Sequence, residues 1–126
     1  MRIVVTLLVI LAMVIGAGVW MVQALDKTAD DLVKRIDQIE AQVRQEKWDE
    51  AERTLAGVRS RWAEMKRWWA VFLDHQEIDN IDFTLVRIGE YLWAEDEELA
   101  LGEAAALKEM VRHIPEKEAV TLENIL

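Results

Sequence analysis

Apolar residues recur along most of the chain at steps of three and four. Leu25, Ala29, Leu32, Ile36, Ile39 and Val43 form one series, and Trp48, Ala51, Leu55, Val58, Trp62, Met65, Trp69 and Phe72 a second. A third series is Ile78, Ile81, Leu85, Ile88 and Leu92, and a fourth Ala100, Ala104, Leu107, Val111 and Ile114. Such spacing puts each series on one face of a helix, and no stretch sustains the period of two expected of a half-buried strand. The chain is expected to be all-α. Ahead of these series, Ile3–Leu25 contains no charged residue and only Thr6 and Gln23 as clearly polar ones. As a helix it would measure ~34 Å, enough to cross a hydrocarbon core of about 30 Å. Residues 1–25 are thus expected to be an uncleaved transmembrane signal anchor. The rival is a cleaved signal peptide ending at Val22-Gln23-Ala24, whose apolar stretch would normally run only ~7–15 residues.

Antiparallel pairing of the series gives a consistent register. Val43 matches Ala51, Ile39 matches Leu55, Ile36 matches Val58 and Leu32 matches Trp62; Leu92 matches Ala100, Ile88 matches Ala104, Leu85 matches Leu107 and Ile81 matches Val111. Two α-hairpins, 26–73 and 74–114, are expected to form an up-down four-helix bundle over 26–114, in phase at an offset of 49 residues. Asp49-x-x-Glu52 and Asp74-x-x-Glu77 read as capping boxes, with a turn near Leu73–His75. Pro115 should stop the fourth helix, leaving 115–126 as a tail that packs on the bundle through Val120, Leu122, Ile125 and Leu126. Trp48 and Trp93 are expected at the same end, plugging it.

Charge narrows the function classes. The formal net charge is −9, and with Arg2 set aside the segment after Leu25 carries −10, which argues against a nucleic-acid partner. The absence of cysteine excludes disulfides, thiolate metal sites and a cysteine nucleophile. A di-iron bundle uses Glu-x-x-His, but the residues three before His75 and His113 are Phe72 and Met110. No catalytic set and no cofactor are expected, and the protein is not expected to be an enzyme. His75 and Asp79 are i,i+4 neighbours, and the hairpin register puts His113 level with Asp79. These three are the candidates for a metal or pH-sensing site, against the plainer reading of capping by Asp74 and Glu77 and structural hydrogen bonding, with Asp79 and Asp82 on the wet face of their helix. Glu95-Asp96-Glu97-Glu98 suits the positive start of the fourth helix, or alternatively a basic partner.

Helix geometry also suggests what meets the membrane. If the first bundle helix runs outward from the bilayer, the second returns to it, bringing Lys66, Arg67, Trp68 and Trp69 to headgroup level beside Trp20. Core or hairpin–hairpin packing is the other expectation for the Trp68–Trp69 pair. Arg2 and the amino terminus on one side, with acids crowding the other, favour an extracytoplasmic bundle on a single-pass cell-membrane protein.

Several motifs carry a family resemblance. Lys47-Trp48-Asp49-x-Ala51, Trp62-x-x-x-Lys66-x-x-Trp69, the run Asp74-His75-Gln76-Glu77-Ile78-Asp79-Asn80-Ile81-Asp82, and His113-Ile114-Pro115 through Leu122-x-Asn124-Ile125-Leu126 span essentially the whole chain. With its apolar leader the sequence resembles the short bacterial proteins grouped as domain of unknown function 4363. The resemblance implies a small single-pass membrane protein, mostly of Gram-positive bacteria, with no established activity and no catalytic residue to transfer. Two functions are expected from these observations. The first is a non-catalytic interaction or accessory module that sits on the lipid bilayer and serves an integral-membrane partner. The second is an extracytoplasmic metal-binding or pH-sensing domain built around His75, Asp79 and His113.

Overall fold

The structure is a computed structural model that describes residues 1–71 and 73–125, with side chains as far as Glu116. It contains four helices, α1 (Arg2–Arg44), α2 (Trp48–Trp69), α3 (His75–Trp93) and α4 (Glu97–Ile125), and no strand among the described residues. α1 packs on α2 and α4, and α3 packs on α4 and α2, which closes a ring around one core. The α1–α4 seam is the most extensive and the α2–α3 seam the sparsest. Every member of the four apolar series is buried except Trp48, which is half-buried, and Phe72, which lies outside the described residues. Val33 and Leu73 complete the apolar core.

The two hairpin turns are the same structure repeated 49 residues apart. In the first, the amides of Gln45, Glu46 and Lys47 donate to the carbonyls of Ala41, Val43 and Gln42; in the second, those of Ala94, Glu95 and Asp96 donate to Glu90, Leu92 and Tyr91. This is the Schellman pattern, which needs a left-handed residue after the helix and usually takes glycine there. Here glutamate fills the position twice, at φ 57° for Glu46 and 54° for Glu95. A side chain in that region costs about 1 kcal/mol relative to glycine. Both turns therefore persist because the packed helices on either side hold them.

Two local expectations need correction. Asp49 does not cap α2: Lys47 occupies the N-cap, and Asp49 and Glu50 fall in the first turn, where their charge suits the helix dipole. Asp74 does cap α3, accepting from the Gln76 amide at 3.2 Å, and Asp96 accepts from the Leu99 amide at 3.1 Å at the start of α4. Pro115 does not end α4, which continues to Ile125. Proline removes one bond to the Val111 carbonyl, but both Ile114 and Pro115 are buried, so packing holds the turn that the missing donor weakens. The expected packing of Val120, Leu122, Ile125 and Leu126 lies outside the described side chains.

The apolar run and the first bundle helix form one element. α1 is continuous over 43 residues, and it is the one helix, among the described residues, long and apolar enough to cross a membrane. The core first covers it at Met21, which is partly buried, whereas Trp20 is 71% exposed. Arg2–Trp20 is exposed except at Gly18, with Ile3, Leu7, Leu8 and Leu11 all open.

Candidate functional site

The base of the bundle, where α1 leaves it, holds an open groove of about 560 Å³. Trp20, Met21, Ala24, Leu25 and Thr28 of α1 form one wall, and Arg61, Glu64, Met65, Trp68 and Trp69 of α2 the other. Antiparallel pairing produces this arrangement, because the last turn of α2 returns to the level at which α1 emerges. The adjacent tryptophans take different roles, as neighbours on a helix must. Trp69 is buried and meets the Trp62 ring edge-on, with centroids 6.2 Å apart at 77°. Trp68 is 78% exposed, and Val71 just beyond it 80%. Arg67 makes no ion pair among the described residues and is exposed.

Lys66 differs from the rest of this group. Its ammonium lies 2.9 Å from Asp82 of α3, and the same carboxylate accepts from the Trp62 indole at 2.7 Å. Asp82, placed by periodicity on the wet face of its helix with Asp79, is instead half-buried and joins α2 to α3. Lys66 is thus engaged in the bundle's own structure, and Arg67 is the free cation beside Trp68.

The structure does not bring the histidine constellation together. His75 is exposed in the first turn of α3, and Asp79 is exposed on its outer side. His113, also exposed, has Nδ1 3.3 Å from Glu116, beside a cleft shared with Glu77, Asn80, Ile81, Met110 and Ile114. Among the described residues no three His, Asp or Glu side chains converge in a way that could hold a metal ion. The terminal tryptophans share one end, since Glu95 borders the cleft formed by Glu46, Lys47 and Trp48. Trp93 does not plug that end, being 79% exposed.

A polar cluster absent from the sequence reading fastens the two hairpins. Lys108 of α4 reaches Glu40 of α1 at 2.8 Å and Asp37 at 2.9 Å, with Glu40 buried. The bonds to Glu40 and then Asp37 raise the Lys108 pKa above its ordinary 10.5, against the opposing effect of burial. No sequence signal marks this clasp, because its members lie 71 residues apart.

A family model described as domain of unknown function (DUF4363) matches residues 19–125. No curated protein and no solved structure matches the chain.

Proposed function

Since the chain belongs to the DUF4363 family, we propose that it is a single-pass, membrane-anchored accessory module that holds a small helical bundle against the outer surface of the cell membrane for an integral-membrane partner. The observation that carries this reading is the run Arg2–Trp20, 19 residues of which all but Gly18 are exposed. Its length as a helix is ~28 Å, close to the hydrocarbon thickness. Exposed valine, leucine and isoleucine on every side of a helix are stable in lipid and costly in water. Where this run ends, Trp20, Trp68 and Val71 are exposed and Arg67 is free, the composition of a membrane–water interface. The charge balance of the remainder favours a protein partner over nucleic acid.

Gentle detergent extraction of native membranes, followed by purification of the full chain and intact-mass measurement, tests this reading. The expected outcome is an uncleaved chain with a stoichiometric integral-membrane protein. A mature amino terminus near Leu25, or a full chain that purifies alone, contradicts it.

A further inference from the structure

Resting on the accessory-module reading, we propose that the outer face of α3 is the docking surface and that its occupant is a basic, amphipathic helix of the partner protein. Asp79, Phe83, Val86, Glu90 and Trp93 follow one another at steps of four, three, four and three, so they line one side of α3 for ~21 Å. This side is not the core side, which carries Ile78, Ile81, Leu85, Ile88 and Leu92. Phe83 is 62% exposed, Val86 55% and Trp93 79%, an apolar strip interrupted by Glu90 that the described residues leave uncovered. At its upper end lies a cleft of about 490 Å³ lined by Glu52, Leu55, Arg59, Gly89, Glu90 and Trp93.

Charge selects among the possible occupants. The carboxylates of Asp79, Glu90 and Glu52 are exposed and make no ion pair among the described residues. Arg59, the one cation lining the cleft, donates to the Leu85 carbonyl at 2.9 Å across Gly89, so two carboxylates stand against one guanidinium and the cleft stays net negative. A lysine or arginine entering the cleft would meet two carboxylates beside the exposed indole of Trp93, an aromatic partner suited to a cation. Apolar residues at three- and four-residue spacing on the same helix would cover Phe83 and Val86, the usual mode of helix docking. A second copy fits poorly: anchored copies stand parallel, so this face would oppose Asp79 to Asp79 and Glu90 to Glu90. An anionic bilayer fits poorly too, since three free carboxylates would repel it.

The test places the photoreactive residue benzoylphenylalanine at Val86, and separately at Phe83, in the full-length protein in its native membranes. Irradiated adducts are sequenced to identify the attached segment. The expected result is a helix of another protein with Lys or Arg flanking apolar residues at three- and four-residue spacing. Glu52→Lys with Glu90→Lys should then lower the adduct yield roughly tenfold or more while circular dichroism stays unchanged. Adducts to a second copy of this chain, to lipid or to an acidic or neutral segment overturn the proposal, as does the absence of any adduct. If a membrane protein co-purifies but no adduct from α3 reaches it, the accessory reading stands and the α3 assignment fails. If nothing co-purifies, the accessory reading itself fails.

Discussion

The α1–α2 and α3–α4 hairpins close with the same backbone hydrogen bonds 49 residues apart, yet they carry different surfaces. Residues 26–73 hold ten acids and ten bases, whereas 74–126 hold fourteen acids and four bases. Their buried positions correspond level by level: Ile36 with Leu85, Ile39 with Ile88, Val43 with Leu92, Leu55 with Ala104, Val58 with Leu107. Packing has therefore kept one plan in both halves while the outer faces diverged. The neutral hairpin carries the apolar run and the tryptophan groove. The acidic one carries an exposed apolar strip on α3. What differs between the halves is where function is to be sought.

Substitutions at corresponding positions can break this equivalence. The largest effect is expected at Trp62, a position filled by Val111 in the second hairpin. Trp62→Ala should cost ~3–5 kcal/mol, because it empties a large core volume and leaves Asp82 without its indole donor. Val111→Ala, which removes far less volume, should cost clearly less in the same chemical denaturation series. Equal losses would mean that the first hairpin's core is no more dependent on its aromatic layer than the second's.

The clasp between the hairpins comes next. Lys108→Ala leaves the buried Glu40 carboxylate with only the longer 3.8 Å contact to Arg44 and should cost about 2–3 kcal/mol. Its folded pKa lies above the unfolded one, so its contribution is fully present below pH 10.5 and is lost as pH rises through the higher folded value. Unfolding curves of the native protein should therefore show an alkaline decline above pH 10.5 that is reduced in Lys108→Ala. A decline of the same size in the variant would remove Lys108 from the account.

Smaller effects sharpen the comparison. Glu46→Gly and Glu95→Gly should each stabilise the protein by about 0.5–1 kcal/mol, since each relieves a left-handed side chain. Near-equal gains are expected from identical turns; a gain at one and a loss at the other would show that the turns are energetically distinct. The smallest effect belongs to His75→Ala. The residue is exposed in the first turn of α3, so the change should fall within about 0.5 kcal/mol, rather than the larger loss expected of a buried contact.

The core was legible because steps of three and four over four successive segments admit one helical solution. Positions set by a single local rule fared less well. Pro115 reads as a stop, yet a helix with an apolar face on the core continues through the loss of one hydrogen bond. Glutamate is not the residue that signals a left-handed turn, so the Schellman geometry was hidden, although Asp74 was recognisable as a cap. Asp82 looked solvated because its partners, Trp62 and Lys66, come from another helix. Of the residues expected at headgroup level, Trp20 and Trp68 share the groove, Trp69 is core and Lys66 is paired with Asp82. The strip on the outer side of α3 obeys the same 4-3-4-3 spacing as the core series. Its two acids gave it the look of an ordinary polar face.

On the membrane-anchored reading the base of the bundle, and not its hairpin turns, lies on the bilayer. Tryptophan quenching by brominated lipids tests it most directly, using the full-length protein in nanodiscs and exposed or half-buried positions whose replacement spares the core. The account predicts that Trp20→Phe and Trp68→Phe each remove part of the quenchable emission, whereas Trp48→Phe and Trp93→Phe leave it unchanged. Loss of quenching in Trp48→Phe or Trp93→Phe, with none in Trp20→Phe and Trp68→Phe, would contradict it.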